Sequence, residues 1–395
     1  MVPEIRRSFN DAFTHERYLA MVQDLEAAAG FPVGFRIAET PVFLDERLTR
    51  ELVRGVEEIV AAVTSEDYLR QAARAIPPGL AVPGEDAHTT FLQIDFALVK
   101  EDGAIVPRLI ELQGFPSLYA FQWLLDEVVR EHWPVPEGLT PYFGGLDGES
   151  YVDRLRQVIV GDCAPENVVL LEIEPESQKT RIDFAATERL LGVRALDPRE
   201  VEERNGLLFY HDNGRDVPVH RIYNRVIFDE LDRKGLRFDH LFRRELDVQW
   251  VGHPNWFWKI SKFSLPFIHS PYCPPSWFVS DLVELPEDLE SYVLKPLYSF
   301  AGLGVEVGVT AERLRSLEHP EQWILQRRVE YAPLIETLDV PAKAEVRMML
   351  LWGGEDRPVL VNNLVRLSKG LMSGVDFNKD KTWIGASLAY HPAID

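Results

Sequence analysis

Cysteine is nearly absent from this chain of 395 residues: Cys163 and Cys273 are the whole complement. Two such distant thiols supply neither a metal-ligand spacing nor a disulfide framework, which fits a reducing compartment. Long apolar runs are missing too. Nothing approaches the ~18 consecutive apolar residues of a membrane span, and the opening MVPEIRRSFNDAF has no apolar core of a secretory signal. The expectation is a cytoplasmic protein with no membrane partner. Positive charge is scarce, with 42 Lys and Arg against 63 Asp and Glu and a net charge of −21. Such a surface repels a phosphate backbone, so nucleic acid is not an expected partner. Neither internal repeats nor low-complexity segments occur. No Ser/His or Cys/His arrangement suggests a nucleophile, and no glycine-rich dinucleotide fingerprint is present.

What the chain does have is a core: 46% of its residues are hydrophobic and 11% aromatic. Residues 11–75 read as helices, with Leu44, Leu48, Leu52, Val56, Ile59 and Val60 at helical spacing. A hairpin follows in FLQIDFALVKEDGAIVPRLIELQ (91–113). Before the turn Gln93 and Asp95 share one face; after it Leu109, Glu111 and Gln113 share one. Asp102-Gly103 marks the turn, and a three-residue loop, Asp102 to Ala104, would set Asp95 opposite Glu111 and Gln93 opposite Gln113. Opposed residues have Cβ atoms roughly 4.5–5.5 Å apart, so two carboxylates there call for a cation between them. Hard oxygen ligands of this kind suit Mg²⁺; a solvated acidic face is the alternative reading.

Leu118 to His132 reads as a helix, and the Pro/Gly-rich connection 134–148 as a boundary. From 151 the rhythm is α/β. Strands are expected at 168–173 and 193–196, a helix at 182–191, and a strand pair at 207–210 and 217–227 turning at Asn213-Gly214. Lys179 and Arg181 are candidates for an acid-binding pocket. From Trp256 to Lys262 the chain reads as a helix, and then come strands at 292–295, 304–309, 323–329, 344–352 and 358–366. In YVLKPLYSFAGLGVEV (292–307) a strand delivers Lys295 to a loop containing Gly302 and Gly304. Backbone N–H groups of such a loop can approach phosphate oxygens; a structural hairpin loop is the alternative. Glu330, beyond strand 323–329, is a candidate ribose partner. Glu345 and Arg347 fall on one strand face, with Asn362, Asn363 and Arg366 on the next strand. The segment Lys369 to Lys381 reads as an acceptor-site loop or a solvated surface.

The order of these segments resembles the circularly permuted ATP-grasp proteins, in particular the glutathionylspermidine synthetase domain. IDF (94–96) and LIELQGFPSLYAFQ (109–122) are similar to the family's metal strands. HPNWFWKISKFSLP (253–266), VLKPLYSFAGLGV (293–305), ILQRRV (324–329) and VRLSKGLMSG (365–374) follow in the family's order. The resemblance covers roughly 90–395. It implies an α/β fold with α+β elements: a circularly permuted ATP-grasp fold with a Rossmann-like lobe inserted. Residues 1–90 would be a helical region, 91–150 the metal-binding part of the core and 151–255 the lobe. Residues 256–335 would be a nucleotide-binding lid, and 336–395 the return to the core.

The resemblance also implies roles. Asp95, Glu111 and Gln113 would hold Mg²⁺. Lys262, Lys295, Gly302 and Gly304 would hold ATP, and Gln326 to Val329 would form the adenine hinge. Arg366 and Arg347 would be the catalytic cations. The implied reaction is ATP-dependent ligation of a small-molecule or peptide carboxylate to an amine through an acylphosphate. A phosphotransferase and a non-catalytic nucleotide-binding scaffold are the alternatives. Three departures accompany it: Gln113 stands where the family has Asn, Gln93 where it has Arg, and the glycine loop lacks the family's arginine-glutamate pair.

Overall fold

A computed structural model of the chain describes residues 2–299, 304–370, 378 and 380–394. Gly302 therefore lies outside the described residues, as does most of the expected acceptor loop, 371–377 and 379. The architecture is mixed α/β, with several sheets.

The central sheet is antiparallel and six-stranded. Its order is Gly385–Ser387, Val359–Ser368, Ala342–Leu351, Phe91–Glu101, Ala104–Gln113, with Pro333–Ile335 pairing at the start of Ala342–Leu351. Phe91–Glu101 is buried from Phe91 to Val99, as expected of a strand flanked on both sides and covered on both faces. Helix Glu46–Val63 covers the apolar side. The Asp45 carboxylate caps it by accepting from the Leu48 amide at 2.9 Å, and Leu48, Leu52, Val56 and Ile59 point into the same core as Phe96.

The hairpin closes differently from the sequence reading, yet reaches the same pairing. Asp102 (φ 48°) and Gly103 (φ 81°) are both left-handed, and Glu101 pairs directly with Ala104. This is a two-residue turn whose twist matches the strands. Left alone, it would put the pairing one residue out. A bulge restores it: Phe96 pairs with Leu109 but Asp95 with Glu111, so Ile110 is the extra residue. Asp95 thus faces Glu111, and Gln93 faces Gln113. Leu109, expected on the Glu111 face, instead joins Phe96 in the apolar core.

A second sheet is four-stranded and parallel, in the order Gln249–Val251, Arg221–Asn224, Val168–Leu171, Arg194–Leu196. Val168–Leu171 is its first strand in the chain and lies inside the sheet. The next strand lies on one side of it and the third on the other. The expected strand 217–227 is in fact two. Arg215–Val219 closes an antiparallel meander with Leu207–Asp212 and Val201–Arg204, while Arg221–Asn224 enters the parallel sheet. The switch falls at His220, whose amide already donates to the Asn167 carbonyl at 2.8 Å, just ahead of the parallel pairing of Arg221 with Val168.

The third sheet, also four-stranded, is antiparallel: Ser276–Phe278, Trp323–Arg327, Tyr292–Pro296, Glu306–Val307. One of its faces packs a small core of its own with Tyr292, Leu294 and Leu325. Between it and the parallel lobe, the expected helix 256–262 is a short helix, Asn255–Lys259, followed by a 3₁₀ stretch, Lys262–Phe267. No helix among the described residues is long and apolar enough to cross a membrane.

Candidate active site

Directly paired residues on neighbouring strands point to the same side of a sheet. The pairs Asp95–Glu111, Asp95–Arg347, Gln93–Gln113 and Glu345–Arg366 therefore collect seven polar side chains on one face of the central sheet. All but Glu111 form a continuous hydrogen-bonded network. Arg347 grips Asp95 with two parallel bonds, Nε to Oδ1 and Nη2 to Oδ2, both 2.6 Å, and its Nη1 donates to Gln93 Oε1 at 3.0 Å. Arg366 Nη2 donates to Asp95 Oδ2 at 2.5 Å and also to Glu345. Tyr331 donates its hydroxyl to Glu345, Gln113 donates to Gln93, and Gln93 donates to the Ser117 carbonyl at 2.8 Å.

Burial sets the electrostatics. Asp95 is 1% exposed. Burial alone would push its carboxyl up, but Arg347 and Arg366 outweigh that and hold it below the usual carboxylate range. Glu345 goes the other way: burial raises it, and the neighbouring Asp95 adds to the rise. Arg366, whose charge burial disfavours, is held strongly protonated by Glu345 and Asp95.

Two lysines approach the hairpin end of this network. Lys295, on Tyr292–Pro296, donates its ammonium to the Ile110 carbonyl at 3.0 Å. That carbonyl belongs to the bulged residue, so the irregular register supplies the lysine's acceptor. Lys262 donates to the Ser299 carbonyl at 2.6 Å and stands 3.8 Å from the Glu111 carboxylate. Both lysines are buried, and desolvation lowers both, Lys295 to about 8. The face of the third sheet that carries Lys295 also carries Val293, Ile324, Gln326 and Ser276, by the same pairing rule. Gln326 is 1% exposed, and its amide nitrogen has no hydrogen-bond partner among the described residues.

The structure thus brings together Asp95, Glu111, Gln113, Arg347, Arg366, Lys262 and Lys295. Gln326 sits on the Lys295 face of the neighbouring sheet. Val329 is half-buried just past that strand. Gly304 is exposed and left-handed (φ 74°), beside Pro296. Glu330 is not drawn in: its side chain is exposed and pairs with Arg328 at 3.0 Å. Arg181 pairs with Glu176 at 2.9 Å and lies over the Phe31 ring. Missed from the sequence were Tyr331 and the Ile110 carbonyl; a bulge leaves no local signal that alternation could reveal.

No family model matches the sequence, and no curated protein matches it. Among solved structures, the chain is similar to a glutathione synthetase-like effector from Globodera pallida in its apo form. The TM-score is 0.54 at 11% identity, over 96% of each chain. The likeness is one of fold. It spans both chains nearly end to end, so it covers the three sheets together.

Magnesium is the ion that the resemblance implies at Asp95, Glu111 and Gln113, and the donor set does not fit it in this arrangement. Both Asp95 oxygens are engaged by guanidinium N–H groups, and Gln113 is tied to Gln93. Among the described residues no group of three or more His, Cys, Asp or Glu could hold a metal ion. Each hairpin carboxylate instead has its own side-chain cations: Arg347 and Arg366 on Asp95, and Lys262 3.8 Å from Glu111.

Proposed function

We propose that the chain binds ATP between the central sheet and the Lys295 face of the third sheet, and acts as an ATP-dependent carboxylate–amine ligase. One observation carries the reading: two buried lysines, Lys262 and Lys295, converge on the hairpin in a glutathione synthetase-like fold. A buried ammonium weakens a fold unless an anion is expected there. Triphosphate oxygens are such an anion, and Gln326 offers an amide for the base.

In this reading residues 256–335 form the lid, 91–150 and 336–395 the core, and 151–255 the lobe that holds the acid. A substrate carboxylate oxygen attacks the terminal phosphorus, giving an acylphosphate and ADP. An amine then attacks the acyl carbon, phosphate leaves, and the amine's surplus proton goes to solvent. Lys262 and Lys295 offset phosphate charge. Arg366 retains a buried Nε–H without a hydrogen-bond partner among the described residues, and in this reading that group is the donor to the charge on the transferred phosphoryl. Arg347 is saturated by Asp95 and Gln93, so it acts by holding Asp95.

The second reading is a nucleotide-binding protein without turnover, and the engaged Asp95 is the observation that favours it. Incubating the protein with ATP and a panel of acid–amine pairs separates the two. ADP and free phosphate in equal amounts, only when acid and amine are both present, supports the ligase. Binding of an ATP analogue with no ADP across the panel supports the second reading, and no binding at all sinks both.

A further inference from the structure

In an open α/β sheet the ligand crevice lies outside the carboxyl ends of the strands, at the point where the strand order reverses. In the parallel lobe that point is between Val168–Leu171 and Arg221–Asn224, because the second strand lies on one side of the first and the third on the other. These two strands pair in register up to Leu171 and Asn224. The next residue on each is charged: Glu172 and Arg225.

Arg225 is 5% exposed, yet its fork is largely unused. Nε and Nη1 have no hydrogen-bond partner among the described residues, and Nη2 reaches the Thr180 hydroxyl only at 3.5 Å. Glu172, 3% exposed, stays 3.8 Å from Nε and gives Oε1 to its neighbouring Ile173 amide at 2.9 Å. Burial pushes Glu172 up to about 8, against the pull of Arg225, so at neutral pH it is mostly protonated. Asp183 is the other buried carboxylate nearby. It is committed to the amides of Leu118 and Phe121, at 3.1 and 2.9 Å, at the start of helix Tyr119–His132. The Arg225 guanidinium lies 4.8 Å from the Phe115 ring centre and 5.5 Å from that of Phe184. Phe115 is two residues beyond Gln113, so the carboxyl ends of these strands adjoin the end of the hairpin.

The geometry points to Arg225, with Glu172 beside it, as the anchor for a non-reacting carboxylate of a small dicarboxylic, amino or peptide acid. The Nε–Nη2 edge, the edge by which Arg347 grips Asp95, matches a carboxylate: here Nε has no hydrogen-bond partner among the described residues and Nη2 has only the 3.5 Å contact, and the protonated Glu172 can donate the bond its ionised form could not. This identification of the acid class rests on the ligase reading, but binding of the acid can be measured without nucleotide.

The test is saturation-transfer NMR with succinate as the probe and succinamide, its neutral analogue of the same size, as the comparator. Wild-type protein is expected to give signal with millimolar succinate and none with succinamide. Arg225→Met should abolish the succinate signal. The Arg225→Met/Glu172→Gln pair, which removes both members together, should do the same while still binding an ATP analogue. Equal signals from both probes, no succinate signal, or a signal that survives in the double variant would overturn the assignment. Succinate binding by a protein that fails to bind the ATP analogue would uphold this site and remove only the ligase reading.

Discussion

Arg347 in the central sheet and Arg225 in the parallel lobe are both buried arginines beside a carboxylate, and their surroundings differ in one respect. Arg347 spends its fork on Asp95 and Gln93, with Arg366 completing Asp95 from the next strand. Arg225 stands 3.8 Å from a carboxyl that burial keeps mostly protonated, and two of its nitrogens have no hydrogen-bond partner among the described residues. Saturation turns the first into a fixed scaffold that holds the polar face in register. Incompleteness leaves the second with capacity for a ligand. Burial alone therefore does not distinguish a structural ion pair from a binding group; the count of unmet donors does.

The largest effect should come from breaking the saturated side. Asp95→Asn leaves the buried Arg347 without its counter-charge and is expected to cost about 3–5 kcal/mol in urea unfolding at neutral pH. Because the Asp95 carboxyl is held below its ordinary value, its contribution is fully present above the unfolded value and fades as pH falls through the lower folded one. A loss under about 1 kcal/mol would erase the contrast with the lobe.

Lys295→Met tests the lysines that separate these regions. A lysine whose folded pKa is depressed to about 8 penalises the fold below that pH, and the penalty lifts as pH rises towards the ordinary value. The variant should therefore gain about 1–3 kcal/mol at pH 7 while losing ATP-analogue binding, as read by thermal unfolding and calorimetry. A variant that loses stability as well would make Lys295 a structural residue.

On the unsaturated side the expected effect is smaller and depends on pH. The folded state holds the Glu172 proton that the unfolded chain releases, so wild-type stability falls between the ordinary carboxylate value and about 8. Glu172→Gln should stay close to wild type near pH 5 and exceed it increasingly as pH rises to 8. A difference that does not change with pH would mean Glu172 is ionised beside Arg225, and the two regions would be alike. Smallest of all, Gln326→Leu removes a buried amide whose nitrogen has no hydrogen-bond partner among the described residues. It should leave stability within about 1 kcal/mol of wild type and weaken the ATP analogue by a comparable amount. Unchanged affinity would take Gln326 out of the cleft.

How much of this was legible in the sequence follows from how local each signal is. The alternation that set Gln93 and Asp95 on one face, and Glu345 with Arg347 on another strand, needs only a few residues, and both faces are where it put them. The Asp95–Glu111 pairing was reached through a three-residue loop. The structure reaches it through a two-residue turn plus a bulge, two shifts that cancel. Which cation meets Asp95 was not legible, since Arg347 lies 252 residues away and only the finished sheet makes them neighbours. Arg225 was hidden for another reason. PVHRIYNRVIF reads as one apolar strand, and nothing local marks His220 as the point where the chain leaves one sheet for another, which sets Arg225 at the carboxyl end of the new strand.

The central claim is that Lys262 and Lys295 are buried in order to meet phosphate, and calorimetric titration with a non-hydrolysable ATP analogue across pH tests it most directly. Saturable binding is expected at pH 7, weakening about tenfold for each pH unit above 8 as the free protein's Lys295 loses its proton, and absent in Lys295→Met. Affinity unaffected by pH between 7 and 9.5, or retained in Lys295→Met, would contradict it.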